Sequence, residues 1–406
     1  MPARPFRRRS ALLALPALAI RPATAQPARG EPIRIGELNS YGRMAAFAAP
    51  YRNAIQMTQD EVNAAGGVMG GRPIEFVFRD DGAAPSDAAR VAEDLLTREG
   101  VAFIAGTFLS NVGLAVADVA ARRQRLFLAT EPLTDALTMA QGNPYTFRVR
   151  PGTFMQTRML VNAVRGRPIR RWAIVAPNYE YGQSAAAAFK RLIRDAIPGA
   201  EIVAEQYPAL GRPDAGPTVG ALSRARPDGI FNVLFGADLI PFVREGQIRG
   251  LFENRTVVSL LTGEPEYLLP LGAEAPSGWI VTGYPAEQIT TPPAHRAFYE
   301  SYRRRFNDAP RLGSLLGTVT VQIVQAMLDS ARSTDTDRMV AALRGLVTET
   351  IAGPVTMRAI DQQSTLGAWV GETAVEGGRG VMRNWRYEDG ADHMFPEAEV
   401  RAARRL

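Results

Sequence analysis

Val101-Ala-Phe-Ile-Ala-Gly-Thr-Phe-Leu-Ser-Asn-Val-Gly113 decides how the rest of the chain is read. Residues 101–105 are apolar, short and stopped by Gly106, which predicts a strand buried on both faces in a parallel sheet. Thr107 to Asn111 then forms a loop, and residues 112–122 carry apolar side chains at helical spacing. A strand that runs through such a loop into a helix aims backbone N–H groups and the positive end of the helix dipole at one spot. That arrangement suits an anion. Ser110 either caps the helix or turns its hydroxyl to a ligand, and the same two roles are open to Asn111.

The same alternation extends in both directions. Before the quoted stretch, strands are expected over 33–38 and 74–78, and helices over 51–65 and 85–99; a fourth strand is expected over 126–129. Gly66-Gly67-Val-Met-Gly70-Gly71 superficially resembles a dinucleotide loop. It follows a helix and precedes a strand, the reverse of what phosphate binding needs, and reads as a turn. After a crossing near 145–151 the pattern restarts, with strands over 172–176, 202–206, 229–234 and 256–260 and helices between them. The expectation is an α/β chain of two doubly wound parallel-sheet units. The remainder, with a strand over 279–282, helices over 293–306, 313–330 and 335–343, and short alternating runs after Gly353, cannot form a third unit. It must complete the other two.

The first 25 residues read as a leader rather than as part of the fold. Arg4 and Arg7 to Arg9 make a basic start, residues 11–20 an apolar run, and Ala23-Thr24-Ala25 a cleavage signal. Arg8-Arg9 fits a twin-arginine leader or an ordinary basic one. The leader holds five of the 47 basic residues and none of the 41 acidic ones, so the rest of the chain, with 42 against 41, is near neutral. Its whole-chain basicity therefore argues nothing for nucleic acid. The chain has no cysteine, which removes thiol catalysis, iron–sulfur clusters and Cys-type zinc sites. No later segment reads as a membrane span.

His295 and His393 lie far apart in polar contexts that read as surface, and neither H-E-x-x-H, G-x-S-x-G nor a P-loop occurs. No enzyme chemistry and no cofactor is expected. Asp80-Asp81, at a strand's carboxyl end, could hold a cation or shape its loop. Glu264, in Leu-Leu-Thr-Gly-Glu-Pro, lies just beyond another strand end, where open α/β sheets bind ligands. Tyr181 opens a helix after a strand, in Pro177-Asn-Tyr-Glu-Tyr-Gly182, and Phe235 ends its strand; both either flank a ligand or plug the core.

These features, in this order, resemble the periplasmic solute-binding proteins that feed ABC importers of branched-chain amino acids and related compounds. The likeness runs from Pro32 to Tyr387. It is carried by Ile33-Arg-Ile-Gly36, Asn63-Ala-Ala-Gly-Gly67 with Gly70, Asp80-Asp81, Ile104-Ala-Gly106, Tyr181-Gly182 and Gly353-Pro354. The resemblance implies two lobes joined by three crossings in the type I periplasmic binding fold, closing on one small molecule. Lobe I would hold 32–150 and 279–352, and lobe II 151–278 and 353–406. It implies export to the periplasm, an ABC permease as partner, a monomer, and no covalent chemistry.

Residue by residue, the resemblance gives Ser110 to a ligand carboxylate, Glu264 to a ligand ammonium and Tyr181 to an aromatic wall. Ser110 and Glu264 would then face one cleft from opposite lobes. Phe235 stands where a tyrosine is usual and lacks the hydroxyl donor. After the fourth strand this chain departs, with Ala129-Thr-Glu-Pro-Leu-Thr134. Thr134 would supply a hydroxyl across a one-residue gap. Glu131 would meet a ligand cation or amide, pair with Arg148 or Arg150, or stand in solvent. An amino acid is the first ligand class implied. An amide, an aromatic acid or another small carboxylate is the alternative, and a sensor domain the reading from another class.

Overall fold

The first five strands form one sheet. The computed structural model describes residues 28–212 and 214–405, so the expected leader lies outside the described residues. In chain order come β1 (Ile33–Asn39), α1 (Ala45–Ala64), β2 (Ile74–Asp80), α2 (Pro85–Thr97), β3 (Phe103–Gly106), α3 (Ser110–Arg123), β4 (Phe127–Ala129) and β5 (Thr146–Arg148). All pairings are parallel, in the order β2-β1-β3-β4-β5. β3 is buried throughout, as its unbroken apolar run requires. Gly106 follows at φ 110°, and a Cβ there would stand 2.2 Å from the Leu38 carbonyl oxygen, so only glycine permits this turn off the sheet.

The second unit repeats the design. It runs through α4 (Thr153–Val164), β6 (Arg171–Val175), α5 (Glu180–Ala196), β7 (Glu201–Gln206), α6 (Ala215–Ala225), β8 (Gly229–Asn232), α7 (Gly236–Ile248), β9 (Thr256–Gly263), α8 (Pro265–Leu271) and β10 (Ile280–Gly283). The chain then returns to the first unit through α9 (Pro293–Phe306), α10 (Leu312–Ala331) and α11 (Thr336–Leu343). It continues with the small hairpin β11 (Val347–Thr350) and β12 (Gly353–Thr356), and ends with β13 (Ala368–Glu376), β14 (Arg379–Glu388) and α12 (Glu397–Arg404). The second sheet is ordered β14-β13-β10-β9-β8-β6-β7, parallel except for the two added edge strands. In each sheet the first strand lies between the second and third, which makes a topological switch point.

Two boundaries fall later than the sequence suggests. The strand near 279 pairs with β9 and β13 in the second sheet, so the return to lobe I comes after Gly283. Its run is apolar on both faces and would suit either sheet. Its antiparallel partner β13 lies far along the chain, so the sequence alone does not choose. Likewise Gly353 does not open lobe II. β12 pairs with β11, and Ile351 N–H donates to Gln322 of α10 at 3.1 Å, so the last crossing lies between β12 and β13.

α10 is long and apolar enough to cross a membrane, contrary to the sequence reading, yet it lies mostly buried in the fold. It packs on α1 through Gly313 and Gly317, whose Cβ atoms would meet the Phe47 and Tyr51 carbonyl oxygens at 2.6 and 2.5 Å. The surface reading of the histidines is also corrected. His295 is fully buried with Nε2 2.6 Å from the Tyr284 hydroxyl, and His393 is buried with Nε2 2.9 Å from Glu388.

Candidate functional site

Strand ends from both sheets converge on one cleft. The first unit contributes Phe108 and Ser110 from the β3–α3 turn, Glu131 and Leu133 after β4, and Arg150 from the first crossing. The second contributes Tyr179 and Tyr181 after β6, Phe235 before α7, and Leu261 in β9. These nine residues line one pocket. Thr107 (φ 63°) and Leu261 (φ 67°) hold left-handed backbone beside it, a conformation that non-glycine residues adopt at a cost of about 1–3 kcal/mol.

Ser110 is the first residue of α3 and does not cap it. The N-cap is Leu109, and no side chain caps the helix. The Ser110 Oγ instead accepts the N–H groups of Leu133 and Thr134, each at 3.2 Å, which folds the post-β4 loop onto the helix start. Its hydroxyl proton remains to be donated. Asn111 is half-buried, does not line the pocket, and its Oδ1 has no partner among the described residues.

Glu131 is 1% exposed, so it does not stand in solvent. Its Oε1 accepts from Asn39 Nδ2 at 3.1 Å, and its Oε2 has no hydrogen-bond partner among the described residues. Burial pushes its carboxyl well above the usual range, the Arg150 guanidinium and the Asn39 bond pull against that, and the nearby Glu37 adds to the rise. Arg148, the other partner considered for Glu131, is spent elsewhere. It donates to the Leu133 and Thr134 carbonyls and to Gln363, clamping the crossings together.

Glu264 does not wait for a cation. It is 1% exposed, and its Oε1 accepts from Arg150 Nη2 in a direct ion pair. Burial pushes the Glu264 carboxyl up to about 8, with Arg150 pulling against it. Burial also works against the charge on Arg150, yet Glu264, and then Tyr267 and Glu131, hold its pKa above the ordinary value. Ser110 and Arg150 line the pocket; Glu264 does not line it and is held by Arg150.

Thr134 is spent as well. Its hydroxyl donates to Glu180 of α5 at 2.5 Å, and beside it Asp135 N–H donates to Ser184 Oγ at 3.1 Å, so this loop ties the two units together. Tyr181 and Phe235 do form an aromatic wall, with Tyr179 beside them. Ring centroids lie 5.6 Å apart for Tyr181–Phe235 and 6.3 Å for Tyr179–Phe235. Phe108 faces Phe235 from the other unit at 6.1 Å. The Tyr181 hydroxyl is buried and unpartnered among the described residues.

Asp80-Asp81 takes the loop-shaping role. Asp80 accepts the N–H groups of Gly42 and Gly82, and Asp81 accepts from the Ser40 hydroxyl and the Ala83 N–H. No group of three metal-ligating side chains gathers among the described residues.

The sequence does not single out Phe108 or Tyr179, because a loop aromatic carries no periodic signal. Arg150 was considered only as a partner for Glu131. Its place at a crossing, within reach of both units, is set by tertiary structure.

Comparison with known proteins agrees with this architecture. A family model described as "Periplasmic binding protein" matches residues 32–379. Leu/Ile/Val-binding protein homolog 6 of Brucella melitensis biotype 1 is 22% identical over 374 residues, 89% of this chain and 93% of that protein. Homolog 7 of Brucella abortus is 23% identical over 348 residues, 82% and 85% of the two. Among solved structures, the leucine-, isoleucine-, valine-, threonine-, and alanine-binding protein of Brucella ovis, in a closed conformation, superposes with TM-score 0.80 at 20% identity, covering 90% of this chain and 97% of that one. A solute-binding protein of an ABC transporter from Rhodopseudomonas palustris BisB5, in complex with 3,4-dihydroxybenzoic acid, superposes with TM-score 0.78 at 21% identity, covering 89% and 99%. The chain belongs to the periplasmic binding protein family, with the type I fold of these solved structures.

Proposed function

We propose that this protein is exported and captures a small amino acid with a branched or aromatic side chain between its lobes, for delivery to an ABC permease. The leader-like first 25 residues support export. The observation that carries the ligand reading is a set of buried polar atoms without partners, Glu131 Oε2, Glu264 Oε2 and the Tyr181 hydroxyl, gathered around Arg150. When ionised the two glutamates are acceptors only, and a buried acceptor left unpaired costs about 1–3 kcal/mol. An ammonium supplies donors to the two glutamates. The Ser110 hydroxyl, the uncapped start of α3 and the remaining N–H groups of Arg150 suit a carboxylate. The aromatic wall receives the side chain.

A second reading is a phenolic acid. It is favoured by the Arg150–Glu264 pair, which already fills half of the acceptor an ammonium would use, and by the rings of Phe108, Tyr179, Tyr181 and Phe235. Thermal melting with leucine, phenylalanine and 4-hydroxybenzoate separates the two. The ligand class that fits raises the melting temperature in a concentration-dependent way. A flat response to all three at millimolar concentration contradicts both readings.

A further inference from the structure

Two further spaces lie along the second crossing, and neither shares a lining residue with the pocket around Arg150. One is a cavity of about 90 Å³ with a mainly apolar lining, set between Leu268 and Leu269 of α8, Val381 and Met382 of β14, and Pro285 and Pro310. The other is an open groove of about 540 Å³, lined mainly by charged side chains, most of them on α9. Glu287, Tyr299, Ala309 and Arg379 line both spaces, so the groove runs into the cavity. α8 and β14 belong to lobe II and α9 to lobe I, so the walls come from both lobes.

Pairing among the charged residues of the groove leaves an excess of cations. Arg296 pairs with Glu300 at 2.8 Å, and Asp308 pairs with Arg311 at 3.4 Å. Arg303, Arg304 and Arg379 have no ion-pair partner among the described residues, against one such acid in the lining, Glu287. All four are exposed, so their charged ends are open to a ligand. Two of the arginines are also held in place. The Arg303 guanidinium stands 5.9 Å from the centre of the Tyr299 ring, and Arg304 Nη2 donates to Ser301 Oγ at 2.8 Å. A guanidinium with free N–H groups matches the two oxygens of a carboxylate. The apolar cavity beside these cations offers burial to a chain attached to that carboxylate.

We infer that this groove is a second binding site, for an amphipathic anion with one carboxylate. The head lies among Arg303, Arg304 and Arg379, and the apolar chain enters the cavity between Leu269 and Met382. Glu287 stands in the shared wall and offsets one of the three cations, which disfavours a polyanion. An occupant ties the two lobes together across the second crossing. The inference does not rest on the ligand reading of the cleft.

The probe is decanoate, titrated calorimetrically into the full chain, into the double variant Arg303→Gln with Arg379→Gln, and into Ala309→Trp, which adds bulk to the shared wall. Arg303 and Arg379 are exposed and Ala309 is half-buried, so the fold should survive, which thermal melting checks. The expected result is binding of decanoate that weakens with added salt and falls about tenfold in the double variant, the worth of two exposed ion pairs. Ala309→Trp should weaken it as well, and neither acetate, which lacks the chain, nor decylamine, which reverses the charge, should bind. No binding of decanoate to the parent overturns the inference. So does unchanged affinity in the double variant, or decylamine binding as tightly as decanoate, since the chain would then lie in an apolar space without these arginines.

Discussion

The two faces of the cleft come from sheets wound in the same order, yet they carry different chemistry. The lobe I face holds the polar Ser110 and Glu131 beside Phe108 and Leu133, with Asn39 bonded to Glu131 and Glu37 also buried; the lobe II face holds only Tyr179, Tyr181, Phe235 and Leu261. Arg150 belongs to the crossing between them and binds Glu264 of the second unit. The difference assigns separate work to the lobes. A polar face fixes a ligand's orientation, since each unpaired donor or acceptor there is costly. An aromatic face gives contact area with little demand on direction. In the proposed capture, closure would bring the second onto what the first has oriented.

The largest expected effect comes from removing the group that serves both faces. Arg150→Ala leaves Glu264 buried without its cation, and breaking a buried pair in this way costs about 3–5 kcal/mol. Chemical denaturation should show that loss, along with loss of ligand binding. A variant as stable as the parent would mean that Arg150 does not hold the faces together.

A smaller effect comes from the buried acids, through pH. Glu37, Glu131 and Glu264 all have carboxyl pKa values raised by burial, that of Glu264 to about 8. A raised value in the folded state means that the folded chain keeps protons the unfolded chain releases. The stabilisation is complete below the unfolded value and is lost as pH rises through the folded one. His295, lowered to about 4 from 6.5, acts in the opposite sense, but only below about 6.5. The melting temperature without ligand should therefore fall between about pH 6.5 and 8.5, and Glu131→Gln should flatten the fall. A rise over that window would contradict the burial of these acids as the controlling feature.

The smallest effect belongs to the aromatic face. Tyr181→Phe keeps the ring and removes the unpartnered hydroxyl, so the fold should be unaffected or slightly more stable. Ligand affinity should fall by no more than about tenfold, the worth of one neutral hydrogen bond. A hundredfold loss in calorimetry would move Tyr181 from the wall to the set of orienting groups.

How far the sequence could be read follows the same division between local and long-range causes. β3, α3 and α9 fall where periodicity and their Gly or Pro punctuation place them, because those signals are local. α4 went unrecognised just after a crossing, and β10 was given to the wrong lobe because its partner strand comes so much later in the chain. At the site, residue type and strand-end position brought out Ser110, Tyr181 and Phe235, and departure from the resembled family's pattern brought out Glu131; the fold gathers all four in one pocket. Thr134 looked the same in sequence, but its hydroxyl is taken by Glu180 of the other lobe. Glu264 was read as open because nothing local announces that Arg150, from the first crossing, reaches it. Hydrogen-bond partners far apart in the chain are what the sequence left out.

The central claim is that Glu131, the lobe I residue that departs most from the family pattern, touches the ligand through its unpartnered oxygen. The direct measurement is calorimetric titration of the parent and of Glu131→Gln with whichever of leucine, phenylalanine or 4-hydroxybenzoate stabilises the parent. Glutamine keeps an oxygen for Asn39, so melting should show an intact fold. An affinity loss of about ten- to a hundredfold is expected, the worth of a hydrogen bond to a charged group. Unchanged affinity in a folded Glu131→Gln variant would contradict it and leave Glu131 a structural residue of the cleft wall.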